Sequence, residues 1–271
     1  MKKILCLLVI ISIFSCKDNK SNQNIPVEPN NGSGKGAVPP KVLSFSENIE
    51  EAHNKPAFMT KEAVAFDIDL KFGDKTRLDA KVSMLTNSSK VRLDKTNETS
   101  IVYNGEKVFI SPDSSDVQGA RFDIFTWQYF FAMPFKLTDP GTVWTEPKEL
   151  KLDSLKYETS KLSFKNDIGD SPDDWYVVYK DDKTSRLKAA AYIVTFSQEQ
   201  KKAEQNPHAI VYSEYKVVDQ IAIATKWSFH NWDNENGLGE KLGEASISNI
   251  HFFKPEDTFF KAPENALEVK K

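Results

Sequence analysis

Ser171-Pro-Asp-Asp-Trp175-Tyr-Val-Val-Tyr-Lys180, the polar run Asp181-Asp-Lys-Thr-Ser185 and then Arg186-Leu-Lys-Ala-Ala-Ala-Tyr-Ile-Val-Thr-Phe196 decide how this chain folds. Two runs rich in aromatic and β-branched residues flank a turn, which is the pattern of a long antiparallel hairpin. In the first run Trp175, Val177 and Tyr179 share one face while Tyr176 and Val178 take the other, so neither face suits water. The hairpin is therefore expected at the centre of the sheet, with Trp175 and Tyr176 as buried structural side chains.

On either side the chain reads as more sheet. From Val64 onward Val64, Phe66, Ile68, Leu70 and Phe72 share a face and Asp67, Asp69 and Lys71 the other, the signature of a half-exposed strand. Gly73-Asp74 turns it into Leu78, Ala80, Val82 and Met84, and a turn near Asn87 leads to Val91 and Leu93. Asn104-Gly105, between two short apolar runs, predicts a type I′ turn, since both residues tolerate positive φ. Further strands are expected over 148–153, 156–166, 208–218, 221–232 and 244–253. Ser44-Phe45-Ser46-Glu47 has capping-box spacing, and Phe45, Ile49 and Ala52 then recur at helical spacing. His53 follows near that apolar face, where a histidine is expected as a hydrogen-bonded core neighbour.

The run 121–135 breaks the strand pattern with Phe122, Phe125, Trp127, Tyr129, Phe130 and Phe131 among its residues. Phe122, Phe125 and Tyr129 fall on one helical face, but Trp127 and Phe131 reach well round the cylinder. Such a helix needs apolar cover from two directions. It is either a buried core helix or a lid lining a cavity, and Phe122, Phe125, Trp127, Tyr129 and Phe130 are the candidate lining residues.

The formal charge of −3 offers nothing to a nucleic acid. The sequence holds no Gly-x-Ser-x-Gly, no phosphate-binding glycine loop and no His-Glu-x-x-His, and its 4 histidines lack metal-ligand spacing. No cofactor, metal or catalytic residue is expected. The acidic groups Asp167, Asp170, Asp173, Asp174 and Asp233, Glu235 do not fit a calcium loop and read as turns. Asp153-Ser154-Leu155 matches a short O-glycosylation acceptor pattern at Ser154.

The N-terminus carries Met1-Lys2-Lys3 and an apolar core over 4–14, too short to span a bilayer, which is a secretory signal over 1–15. Ile13-Phe14-Ser15-Cys16 resembles the lipobox of bacterial lipoproteins, which implies cleavage before Cys16 and acyl chains on that residue. Two or more chains make a stable anchor at ~0.8 kcal/mol per buried CH₂. Both cysteines, Cys6 and Cys16, belong to this leader region, so the mature fold has no internal disulfide to rely on. Residues 16–42 are rich in Asn, Ser, Gly and Pro and read as a tether, whose flexible part spans roughly 25 to 30 Å as a coil.

Signal, lipobox, tether, opening helix, meander, aromatic helix and the Asp-Trp-Tyr hairpin together resemble a Bacteroidota lipoprotein family without an assigned activity. That family is similar in architecture to the LolA/LolB lipoprotein carriers. The resemblance covers roughly 44–263 and implies an α+β, mainly β fold: a curved antiparallel sheet of 10 to 11 strands, an incomplete β-barrel, with helices over its concave face. The folded domain is expected over 43–263 and a tail over 264–271. It implies an outer-membrane, lipid-anchored protein holding a lipid or acyl chain between sheet and aromatic helix. The other reading is a structural or interaction lipoprotein whose core is filled by its own side chains.

Overall fold

A computed structural model of the chain describes residues 41–166, 168–196 and 198–270. The chain divides into Met1–Val42 and Leu43–Lys271, and the second part is described below. The signal, Cys16 and most of the tether lie outside the described residues.

Ser44 caps α1 (Phe45–Ala52) as its spacing requires. Its Oγ accepts the Glu47 N–H while the Glu47 carboxylate accepts the Ser44 N–H, so two donors left open by a helix start are satisfied. α2 (Lys55–Met59) follows, then a meander of β1 (Ala63–Phe72), β2 (Lys75–Leu85), β3 (Val91–Lys95), β4 (Ser100–Tyr103) and β5 (Val108–Ser111). α3 (Ala120–Ala132) comes next and tightens into a 3₁₀ turn over Met133–Phe135. Beyond it lie β6 (Thr142–Trp144), β7 (Lys148–Lys151), β8 (Lys156–Phe164), β9 (Tyr176–Lys180) and β10 (Leu187–Tyr192). A short α4 (Gln200–Ala203) leads to β11 (His208–Val218), β12 (Ile221–Asp233), β13 (Gly237–Phe253) and β14 (Leu267–Val269).

Among the described residues the strands form one antiparallel sheet of 14, in the order β14-β5-β4-β3-β2-β1-β13-β12-β11-β10-β9-β8-β6, with β7 beside β8. Its end strands, β14 and β6, do not pair with each other, so the curved sheet stays open, and the described part of the chain is mainly β with few helices. The strands exceed the expected 10 to 11 partly because β6 and β14 span only 3 residues each, too few for alternation to register. β14 also corrects the reading of 264–271 as a tail: it pairs with β5, and Val269, not the exposed Leu267, is its buried side chain.

The hairpin of 171–196 forms, but it is not the centre. β9 and β10 lie toward one end of the sheet, whose middle is the pairing of β1, β13 and β12. Length explains this: β13 runs 17 residues and pairs along two neighbours, whereas β9 has 5. All four of Tyr176, Val177, Val178 and Tyr179 are buried on two faces, as alternation predicted. Trp175 precedes β9 and is only half-buried, its ring 4.5 Å from the Lys161 ammonium and its Nε1 donating to Glu204 at 3.3 Å. The Asn104-Gly105 turn is likewise longer than a type I′ turn, because Tyr103 pairs with Val108 across four loop residues. Gly105 takes positive φ (102°), while the Asn104 carboxamide accepts the N–H groups of Glu106 and Lys107 at 3.0 and 2.9 Å.

Two apolar layers hold the sheet. On the inner face α1, α2 and α3 pack onto Val64, Phe66, Ile68, Leu70 and their cross-strand partners. The Phe66 and Phe131 rings stack at 4.0 Å, and burying such a ring contributes about 1.5–3 kcal/mol. On the outer face Val177 and Tyr179 join Leu152, Tyr157, Ala209 and Trp232. Here the β7–β8 turn docks on the β12–β13 turn: Leu238 N–H donates to Leu152 O at 2.7 Å, and a Cβ on Gly237 would lie 2.4 Å from that same oxygen. Only glycine fits there, at φ +81°.

Candidate functional site

The aromatic helix α3 is where the sequence placed a site, and its position follows from one buried carboxylate. Asp123 is 2% exposed and accepts from Arg77 of β2 at 2.7 Å, Lys95 of β3 at 3.0 Å and the Trp127 indole at 3.1 Å. The helix end is held too, since the Tyr212 hydroxyl donates to Phe130 O at 3.0 Å, a carbonyl that the helix leaves open. Between these ties Ile124, Trp127 and Phe131 face the sheet, with Trp127 edge-on to Phe229 at 6.1 Å. Toward β1 and β12 the seam between helix and sheet is filled by side chains.

The other side of α3 faces a cleft of about 540 Å³. One wall is the row Phe122, Phe125 and Tyr129, with Phe130 below it; facing them are Phe164 of β8, Tyr176 of β9, Tyr192 of β10 and Phe196. The rings approach across it: Tyr129 to Tyr176 at 5.5 Å, Phe130 to Tyr192 at 5.0 Å and Phe122 to Phe196 at 5.8 Å. Burial pushes the phenols of Tyr129, Tyr176 and Tyr192 far above their ordinary pKa, so all three are neutral hydrogen-bonding groups. At one end Arg121 of α3 pairs with Asp170, donates to Val269 O at 3.3 Å and lies over the Phe125 ring at 5.4 Å. At the other, Lys136 pairs with Asp139 at 2.7 Å. Asp174 accepts both the backbone N–H and the hydroxyl of Thr195 at 2.7 Å, which ties the approach to β9 to the exit from β10. Burial raises the Asp174 pKa against the opposing pull of those Thr195 bonds.

Of the five lining candidates, Phe122, Phe125, Tyr129 and Phe130 border the cleft. Trp127 does not. It packs toward the sheet, 3% exposed and bonded to Asp123, because two residues along a helix from Phe125 and from Tyr129 turn its side chain away from theirs, while its ring still meets that of Phe122 edge-on at 5.7 Å. Tyr176, read as structural, is both structural and a cleft wall. Phe164, Tyr192 and Ser88, which come from separate strands and a turn that only the folded sheet brings to one place, carry no shared signal in the sequence, and Gln128 of α3 is a polar residue among the aromatics of that helix. Asn104 and Gly105 turn the chain beside the cleft, to which their neighbours Tyr103 and Glu106 contribute.

Elsewhere the acidic groups behave as turns: Asp233 Oδ1 accepts the N–H groups of Glu235 and Asn236 at 2.9 and 2.7 Å. Among the described residues no group of His, Cys, Asp and Glu is placed to hold a metal ion. Among them, too, no helix is long and apolar enough to cross a membrane.

An open antiparallel sheet carrying a helix, with an aromatic cleft between that helix and β8–β10, defines a half-barrel fold with a binding-site-sized recess. No protein-family model matches the chain, and no curated protein matches it. Among solved structures it is similar to a LolA superfamily protein from Nitrosomonas europaea, at 11% identity and a TM-score of 0.47, covering 79% of this chain and 97% of that one. It is similar to the same extent to a DUF1329 family protein from Desulfovibrio piger, at 12% identity and a TM-score of 0.47, covering 81% of this chain and 98% of that one.

Proposed function

We propose that this protein binds an apolar or amphiphilic small molecule, with its hydrocarbon part lying in the cleft beside α3, and that it does so at the bacterial outer membrane, anchored by acyl chains on Cys16. The cleft carries the reading. Its volume of about 540 Å³ falls within the ~300–1,000 Å³ usual for small-molecule sites, and rings line it from both sides. Filling it would cover a row of aromatic side chains that the helix otherwise turns outward. The location rests on the leader, the Ile13-Phe14-Ser15-Cys16 spacing and the resemblance to Bacteroidota lipoproteins. The cargo lies between α3 and the β8–β10 part of the sheet, because toward β1 and β12 the helix is already packed against Phe66 and Phe229.

The test uses the full chain carrying Cys16→Ser, titrated with the neutral fluorescent probe N-phenyl-1-naphthylamine. Saturable binding is expected, weakened by about tenfold or more in Phe125→Asp, since a carboxylate would then have to be desolvated against the probe. Absence of saturable binding, together with no apolar compound extracted from the native protein by mass spectrometry, would leave the cleft without a cargo.

A further inference from the structure

We propose that the cleft selects an uncharged amphiphile whose polar end carries hydroxyl or amide groups, of the chemical class of a monoacylglycerol, over anionic or cationic lipids of the same chain length. This rests on the reading of the cleft as an apolar binding site and adds the chemistry of the ligand's head.

Two observations carry it. The first is a set of polar side-chain atoms around the cleft that are shut off from solvent and lack a hydrogen-bond partner: Gln128 Oε1, Tyr129 OH, Ser88 Oγ and Arg121 Nε. Gln128 is 6% exposed, and its Nε2 donates to Phe125 O at 3.1 Å, so the orientation of the amide is settled and the carbonyl end is the one left over. Leaving a buried polar group without a partner is costly, and it is unusual for several to border one recess. Gln128 Oε1 needs a donor, Arg121 Nε needs an acceptor, and the Tyr129 and Ser88 hydroxyls can each do both. A hydroxyl or amide supplies donor and acceptor together; a carboxylate or a quaternary ammonium does not.

The second is the charge of the lining. Its carboxylates are Glu106, Asp139, Asp170 and Asp174, and its cations are Arg121 and Lys136. Both cations are already paired, Arg121 with Asp170 and Lys136 with Asp139. An anionic head would therefore have to break an ion pair inside a surplus of negative charge. A cationic head gains less than that surplus implies, because Asp139 and Asp170 are engaged with those cations and Asp174 with Thr195.

The experiment measures displacement of N-phenyl-1-naphthylamine from the full Cys16→Ser chain by 1-monolaurin, laurate and dodecyltrimethylammonium, each below its critical micelle concentration. Monolaurin is expected to bind about tenfold or more tightly than either ion. Tyr129→Phe and Gln128→Leu should each weaken monolaurin by about three- to tenfold, the range for one neutral hydrogen bond, and by more than they change the affinity of the probe. Laurate or the ammonium binding as tightly as monolaurin would overturn the head-group assignment yet leave the apolar site standing. So would monolaurin binding that is indifferent to both substitutions. Failure of the probe itself to bind would instead remove the site on which the assignment rests.

Discussion

His53 shows how far a single side chain can be read. Its place beside an apolar helical face marks it as a core neighbour, and it is 0% exposed, with Nδ1–H donating to Ala222 O at 2.8 Å and Nε2 accepting the Leu187 N–H at 3.0 Å. Those partners, 169 and 134 residues away, were not legible, because they depend on where β10 and β12 come to lie. The Leu187 bond requires the neutral ring, because Nε2 must accept, whereas Nδ1–H donates in either state. Burial, the largest cause, lowers its pKa from 6.5 to about 4, with the Ala222 bond opposing and the Arg186 charge assisting. Between those values the unfolded chain binds the proton and the native state does not, so stability is full above about 6.5 and falls as pH drops toward 4. The expected loss is roughly 3 kcal/mol from this group, seen as a drop in the urea midpoint and as a ring that stays neutral by ¹⁵N NMR at pH 5.5. A ring protonated at that pH would contradict the burial. Asp123 gives a second residue-scale expectation. Asp123→Ala removes a carboxylate whose partners Arg77 and Lys95 can turn to solvent, so the cost should be about 1–3 kcal/mol by thermal unfolding and not the larger penalty of a trapped charge.

At the scale of the element, α3 joins the two readings that its sequence left open: core on one face, cleft wall on the other. Spacing alone grouped Phe122, Phe125 and Tyr129 correctly, since the helical period is built into the chain. It could not separate Trp127 from them, because a helix apolar all round gives no polar stripe to mark its back. The polar residue that orients the helix, Asp123, points inward and is legible only once β2 and β3 deliver their cations. The division makes a paired prediction. Phe131, stacked on Phe66, should cost about 3–5 kcal/mol as Phe131→Ala, whereas the half-buried Phe125 should cost under about 2 kcal/mol as Phe125→Ala and mainly weaken probe binding. Equal melting temperatures for the two variants would refute the two-faced assignment. The hairpin teaches the same lesson for strands: alternation found that both faces of β9 are buried, but not its rank in the sheet, which is set by pairings as distant as β1 with β13.

For the whole molecule, sheet character and antiparallel pairing were legible because they repeat over many residues, whereas β14 was not, since a three-residue strand is defined by its partner β5 and not by its own pattern. That strand matters to the cleft, because Arg121 donates to Val269 O as well as pairing with Asp170. The proposed anchor is different in kind: Cys16 belongs to the part of the chain before Leu43, while the described residues that border the cleft lie after it. Attachment and binding should therefore separate cleanly. Acyl chains at ~0.8 kcal/mol per buried CH₂ hold a protein on a membrane without any contribution from the recess. Cys16→Ser is expected to move the protein from the membrane fraction to the soluble fraction while its melting temperature and its affinity for N-phenyl-1-naphthylamine match those of the acylated form assayed in detergent-free nanodiscs. Continued membrane association of the serine variant after a carbonate wash would show that something other than Cys16 holds the chain there, and a loss of probe binding on release would show that the membrane itself helps build the site.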